Sequence, residues 1–364
     1  MAKQQLDMTF DFQWGSCGKG GVSGYLALRN PYTAVVCAYG TQAGHSYNNK
    51  SLGIKMVTQQ LPVGIISHDV RDVFIGPGAL IHAGVLRAEL ERFAPFLKGK
   101  RVFIHENAAV VTDDHAAAEV ARGQTKMGST AKGVGQAAID RILRNPDNPA
   151  VVRHIWAGTD LEVYVANKFE YMAALMAHDR VLIEGAQGFG LSIYHGAYPY
   201  TTSRDVTPWQ LAADCALPWD WANDIRIIGA ARTYPIRVNN RDGTSGPGYF
   251  DQNELEWQNV GVDPELTTVT KLPRRIFEFS PAQTAHASIH CGIKNTSVAL
   301  TFADYCKTSL ELLTIARKIR STGLHISHAV YGPDDSDVVE LPASIVEQDL
   351  VMAVKWEEHH GQGK

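Results

Sequence analysis

The sequence has little cysteine, no long apolar run and no surplus of positive charge, and each absence removes a class of protein. Its five cysteines (Cys17, Cys37, Cys215, Cys291 and Cys306) are scattered, odd in number and never spaced as C-x-x-C. That excludes a disulfide framework or a cysteine zinc site and suits free thiols in a reducing compartment. No apolar stretch reaches the ~18 residues that a membrane-spanning helix needs, and the N-terminus lacks a signal-peptide pattern. With 34 Lys+Arg against 38 Asp+Glu the formal net charge is −4, so there is no basic footprint for a nucleic acid polymer. Repeats, low-complexity tracts and long linkers are also missing. What remains, 364 residues of which 45% are hydrophobic and 20% charged, reads as one soluble cytoplasmic unit spanning residues 1–364.

Short β-branched or aromatic runs predict strands at 8–13, 33–39, 72–76, 101–105, 180–184, 225–230 and 297–302. Helical periodicity separates them. Residues 81–93 set Ile81, Val85, Leu86, Leu90 and Phe93 on one face, and 308–320 do so with Leu312, Leu313, Ala316 and Ile319. Further helices are expected at 115–122, 133–144 and 160–177. The alternation predicts an α/β fold: a large, mostly parallel sheet with helices on both faces and loop insertions. The stretch 239–260 is too long for a plain connector and reads as a functional loop, and the polar tail 357–364 as frayed.

The chemistry concentrates in residues 9–20, Thr-Phe-Asp-Phe-Gln-Trp-Gly-Ser-Cys-Gly-Lys-Gly. A strand-like run ends in Gly15, Gly18 and Gly20, which let backbone N–H groups approach an anion, and Lys19 adds a point charge for phosphate oxygens. The spacing is shorter than G-x-x-x-x-G-K-[ST], and Val22 stands near the position of the usual hydroxyl.

Gln13-Trp14-Gly15-x-x-Gly18-Lys19-Gly20 resembles the phosphate loop Q-W-G-D-E-G-K-G of the adenylosuccinate synthetases, which join aspartate to C6 of a purine nucleotide using a nucleoside triphosphate and magnesium. Further motifs keep step. Gly40-Thr41-Gln42-Ala43-Gly44-His45-Ser46 is similar to G-H-N-A-G-H-T. The resemblance makes His45 the general acid on the purine 6-oxygen, gives the Gly44 carbonyl to Mg2+, and sets Gln42 beside phosphoryl oxygens. Ser129-Thr130-Ala131-Lys132-Gly133 matches the loop whose hydroxyl, here Thr130, binds the 5′-phosphate. Arg144 then matches the arginine that reaches this phosphate across a homodimer interface. Glu184-Gly185-Ala186-Gln187-Gly188 and His195-Gly196-Ala197-Tyr198-Pro199-Tyr200-Thr201-Thr202-Ser203 carry over Gln187 and Thr202 as acceptor-nucleotide contacts, with Glu184 and His195 read as structural. Val238 offers a carbonyl to the sugar, and 267–275 resembles the aspartate loop, with Val269, Thr270 and Arg274 as ligands. A guanidinium suits bidentate carboxylate binding. Leu272 falls where the family has an arginine that touches the ribose, so a deoxyribose fits as well. At the triphosphate base, Asp304 is kept, Phe302 replaces a lysine, and Gly332-Pro333-Asp334 matches the late G-P-D loop. The donor expected is therefore ATP or dATP. Cys17 is not read as a nucleophile, because the family has glutamate there.

The informative departure is Ser16, on the family's catalytic aspartate and beside the triphosphate and Mg2+. General-base help is worth ~10²–10⁴-fold, and a hydroxyl is a poor base. Ser16 thus leaves a silent nucleotide-binding relative, an ordinary synthetase acting on IMP with a substituted base, or a different acceptor. The third has a physical motive: guanine carries an amino group beside the ring nitrogen that the aspartate contacts, and serine opens space for it. This pattern resembles the family's viral branch, which makes N6-succinyl-2-amino-2′-deoxyadenylate from dGMP, and then implies the cytoplasm of a host cell.

Overall fold

In the computed structural model residues 5–240, 244–267, 271–342 and 350 are described. Ten strands form one sheet: β1 Gln5–Asp11, β2 Ala34–Cys37, β3 Asp72–Ile75, β4 Arg101–His105, β5 Val165–Ala166, β6 Arg180–Glu184, β7 Ile225–Arg232, β8 Thr296–Thr301, β9 His325–Val330 and β10 Val338–Glu340. Their order is β10-β9-β8-β7-β1-β6-β2-β3-β4-β5. All neighbours run parallel except the β9–β10 pair. β1 lies in the middle, Met8 facing Ile183 on one side and Ile227 on the other.

Both faces of the sheet are dry. Met8, Val36, Ile183 and Ile227 pack in one cluster with Ala287, Leu312 and Ile319, while Val35, Leu182 and Ile228 pack in a second with Val22 and Leu26. Adjacent residues of one strand thus serve opposite cores, which is why these strands read as continuous apolar runs. The second core is covered by helix α1 (Lys19–Arg29), which follows β1. α1 meets the hairpin His45–Asn49/Ile54–Thr58 at very short range. A Cβ on Gly20 would fall 2.6 Å from the Ser46 carbonyl oxygen, and one on Gly24 only 2.2 Å from the Tyr47 ring. These two glycines therefore fix how near His45 stands to the phosphate loop.

Several expectations need correction. The helix expected over 160–177 is a short turn, then β5, then a helix that begins only at Lys168. Asn167 accepts from Phe169 N and Glu170 N, and the Glu170 carboxylate accepts from Asn167 N, a reciprocal cap that sets the start. Ile81 and His82, read as the start of a helix, belong to a short strand Leu80–His82, and His82 caps the helix Ala83–Arg92. On that helix Glu89 is buried, its carboxylate taking the N–H groups of Gln59, Gln60 and Leu61. The segment 239–260 is not all loop: it holds a strand at Glu254–Leu255 and a helical turn at Trp257–Val260. β1 leaves its ladder at Asp11 because Gln13 N donates back to Asp11 Oδ1 at 2.8 Å. The tail 357–364 lies outside the described residues. No described helix is long and apolar enough to cross a membrane.

Candidate active site

The glycine loop turns at the C-terminal end of β1, with Gly15 (φ 82°), Ser16 (φ 55°) and Gly18 (φ 75°) all left-handed. Ser16 and Gly18 are exposed, whereas Lys19 and Gly20 are buried. Loop 185–190 backs this turn. Gly190 N donates to Gln13 O at 2.7 Å, and a Cβ on Gly188 would meet Gly15 N at 2.4 Å. Lys19 Nζ donates to Asp11 Oδ2 and to Gln187 O, both at 2.8 Å. The lysine charge is thus neutralised by a buried carboxylate until another anion competes for it. Cys17 is buried, its thiol donating to Gln13 Oε1 and Gly15 O at 3.3 Å, and burial raises its pKa. An inert thiol is what this environment produces.

His45 opens the hairpin beside this loop and is 5% exposed, its ring 4.5 Å from that of Tyr39. Burial, aided by the nearby Lys19 charge, holds its pKa down to about 3. It is therefore a neutral imidazole at pH 7, able to donate one hydrogen bond but not to act as an imidazolium before an anion arrives. Its Nδ1 is buried without a hydrogen-bond partner, an orphan that a substrate atom can satisfy. Tyr39 in turn donates to Glu184 Oε2 at 2.9 Å, and Glu184 also accepts from Val63 N and Gly64 N. Burial raises Glu184 to about 7. Its bonds are those of a residue that ties loops together.

Beside the loop opens a cleft of about 320 Å³ lined by Gln42, Thr130, Gln187, Thr202 and Val238 together with Trp14. Five residues named from separate motifs, spread over nearly 200 positions of the chain, share this one cavity. Glu119, not singled out from the sequence, builds its wall: its buried carboxylate accepts from Gly133 N and Gly135 N at 2.8 and 2.7 Å and so shapes the Thr130 loop. Gln42 Oε1 is buried without a partner. Ser16 is not in the lining but stands two residues beyond Trp14, on the exposed side of the turn.

The residue that sequence reasoning missed is Arg232, at the end of β7 and wholly buried. Its backbone N–H donates to Gln13 Oε1 (2.9 Å), its Nη1 donates to Ser16 O (3.0 Å), and its guanidinium pairs with Glu265. The Phe302 ring lies 3.6 Å from its carbon, so one face of that phenyl is already covered. Tyr305 OH closes the group on Glu265 Oε1 at 2.9 Å. An arginine ending an otherwise mostly apolar strand at the sheet's C-terminal edge was the available signal. Arg274 approaches the same group: its N–H donates to Glu265 O at 2.7 Å, and its pKa is lowered, mainly by burial. Val269 and Thr270 lie outside the described residues.

Phe302 also faces Gly18, where a Cβ would come within 3.7 Å of its ring, which brings the Asp304 turn next to the glycine loop. The Gly332-Pro333 loop joins from the other side through the hairpin, Asn48 Nδ2 donating to Pro333 O and Lys50 N to Asp334 Oδ2. Gly44 is exposed just before His45. Arg144 is remote from all of these: it caps the helix Val134–Leu143 at φ 49° and is exposed, with Ile142 (69%) and Leu143 (67%) bare beside it.

A glycine turn and a helix N-terminus at the C-terminal edge of a parallel sheet, beside a cleft, define a nucleotide-binding α/β scaffold. Comparison narrows this. The family model "Adenylosuccinate synthetase" matches residues 10–151 and 148–347. The N6-succino-2-amino-2′-deoxyadenylate synthase of Acinetobacter phage SH-Ab 15497 is 39% identical over 353 residues, covering 88% of this chain and 90% of that one. The namesake protein of Salmonella phage PMBT28 is 42% identical over 323 residues, covering 84% and 86%. Among solved structures, the Cyanophage S-2L succinoaminodeoxyadenylate synthetase, bound to dGMP and dATP as an energy donor, superposes with a TM-score of 0.88 at 35% identity, covering 97% and 99%. The chain belongs to the adenylosuccinate synthetase family.

Proposed function

We propose that this chain is a ligase forming a C–N bond, joining the amine of L-aspartate to C6 of dGMP at the expense of ATP or dATP. The product is N6-succino-2-amino-2′-deoxyadenylate, a precursor of 2-aminoadenine DNA. The observation that carries this reading is Ser16. It sits at φ 55°, a conformation in which Asp is enriched several-fold, so the backbone gives no reason to prefer serine. What serine changes is space and charge on the glycine turn two residues beyond Trp14 of the cleft lining, where in this reading the 2-amino group of a guanine would arrive. The phage relatives and the cyanophage complex with dGMP and dATP support the same choice of substrates.

In this reading dGMP occupies the cleft, with Thr130, Thr202 and Gln42 toward its phosphoryl oxygens, Gln187 toward the base and Val238 toward the sugar. The triphosphate lies along Ser16, Gly18, Lys19 and Gly20, its base between Asp304 and the Gly332-Pro333 turn, on the face of Phe302 that Arg232 leaves open. Lys19 passes from Asp11 to the phosphates as they bind. The 6-oxygen attacks the γ-phosphorus as the ring N1 proton is lost to solvent, ADP or dADP leaves, and the aspartate amine then displaces phosphate from C6 and releases its own proton to solvent. His45 donates its hydrogen bond to the 6-oxygen as charge grows there, and phosphate charge nearby raises its affinity for a proton. Val269, Thr270 and Arg274 hold the aspartate, Arg274 by its fork.

The donor set fits Mg2+: a hydroxyl at Ser16 and a carbonyl at Gly44, both exposed and oxygen-only, with the one loop carboxylate, Asp11, already engaged by Lys19. Mg2+ usually takes few protein oxygens and completes its shell with phosphates and water. When bound it neutralises phosphate charge. We further read the whole chain, 1–364, as one cytoplasmic catalytic domain that works as a homodimer. Arg144 and the bare Ile142 and Leu143 would meet a second copy, and Arg144 would reach that copy's acceptor phosphate.

The test is product analysis. With L-aspartate, Mg2+ and dATP, dGMP should yield a succinylated nucleotide and stoichiometric phosphate. Product from IMP alone would instead identify an ordinary adenylosuccinate synthetase, and nucleotide binding without phosphate release would identify a silent relative.

A further inference from the structure

Away from the chemistry, three histidines meet. His286 and His290 lie one turn apart on the helix Pro281–Cys291, a spacing that puts both side chains on one side. His195 arrives from the loop that carries Thr202, its ring 4.1 Å from that of His290 and 6.0 Å from that of His286. One nitrogen from each ring lies within 4.8 Å of the other two. We propose that His195, His286 and His290 bind a divalent transition-metal ion, zinc being the best fit.

Three imidazoles and a water make an ordinary tetrahedral zinc shell, with ligand nitrogens ~3.3 Å apart at Zn–N bonds of ~2.0–2.1 Å. The rings need only small side-chain rotations to reach that spacing. The surroundings orient them as metal sites do. Tyr249 OH lies 3.1 Å from His286 Nδ1, which leaves Nε2 to face the ion. Asp205 Oδ1, held by Ser192 Oγ at 2.6 Å, lies 3.8 Å from His195 Nε2, which leaves Nδ1. Phe189 stacks on His195, its centroid 5.2 Å away and its plane within 13°, and forms a dry wall. The open side faces a second cleft of about 310 Å³ lined by Trp14, His195, Tyr249 and His286, so ion and water have a path in. Imidazole donors select zinc, cobalt, nickel or copper and not the hard magnesium ion, so this site is separate from the nucleotide-linked one. An ion here would pin the 195–203 loop, and with it one wall of the acceptor cleft, to the helix 281–291.

The test is cobalt titration of the full chain with no nucleotide or magnesium present. One equivalent of Co2+ should produce a visible ligand-field band, Zn2+ should abolish it and Mg2+ should not. His286→Ala and His290→Ala should each weaken binding more than ~10-fold, the lower limit for losing even a supporting partner. Histidine-selective NMR of the unmutated chain provides a readout that does not depend on a variant folding: Zn2+ should shift three of the 14 histidines, and these three. Absence of a band, an undiminished band in both variants, or shifts confined to other histidines would overturn the site.

Discussion

Ser16→Asp restores the acid that the family keeps, and the structure says what it should do. The backbone at φ 55° accepts aspartate at least as readily as serine, so the variant should fold with unchanged stability. In the proposed reading its carboxylate adds two heavy atoms where the 2-amino group of the acceptor arrives. Forcing extra volume against a fitted group costs about 1–3 kcal/mol, which corresponds to ~5–150-fold in kcat/KM for dGMP. For IMP, which lacks the 2-amino group, no clash arises and a restored base gives up to ~10²–10⁴-fold. The ratio of kcat/KM for dGMP to that for IMP should therefore fall by roughly three to six orders of magnitude, read from coupled phosphate release with each acceptor. Equal or faster dGMP turnover in the variant would refute the steric reasoning, because a carboxylate would then coexist with the 2-amino group.

Other outcomes follow from the same geometry. Gly20→Ala should destabilise the fold by about 1–3 kcal/mol in urea unfolding and lower kcat, since its Cβ would press on Ser46 beside His45. Gly21→Ala, with nothing within 4 Å, should be neutral or stabilising by up to ~1 kcal/mol. His45 should remain neutral to well below pH 5 by NMR in the free protein, as its pKa of about 3 requires. Because that value is depressed from 6.5, its contribution to stability is present above pH 6.5 and lost as pH falls toward 3, a slope that His45→Gln should remove in thermal melts. Arg144→Ala and Thr202→Ala should each be nearly inactive, while their mixture regains activity through hybrid dimers with one intact site. No recovery on mixing would place Arg144 in its own subunit's chemistry or in none. Glu265→Ala should cost about 3–5 kcal/mol by stranding the buried Arg232 charge, measured by urea unfolding.

Much of this was legible in the chain because the strands of a doubly covered parallel sheet are short apolar runs, and 101–105 and 180–184 were placed to the residue. Motif residues Gln42, Thr130, Gln187, Thr202 and Val238 were named separately, and the fold gathers them in one cleft. The failures have physical causes. The hairpin that begins at His45 is polar, His-Ser-Tyr-Asn-Asn, and gave no strand signal. β9 carries two histidines and β10 only three residues. Arg232 was visible as an arginine ending a strand but not as a site residue, because its partner Glu265 is 33 positions away and only the fold sets its guanidinium against the Ser16 carbonyl. That Lys19 is held by Asp11 in the free protein could not be read from a glycine motif either, since both residues sit inside it.

Comparing dGMP with dIMP in the unaltered enzyme isolates the one group on which the account turns, because the two acceptors differ only in the 2-amino substituent. With aspartate, Mg2+ and dATP saturating, kcat/KM should favour dGMP by at least ~10-fold, about 1.4 kcal/mol of recognition at that amine. Equal rates, or a preference for dIMP, would show that Ser16 does not serve to admit it.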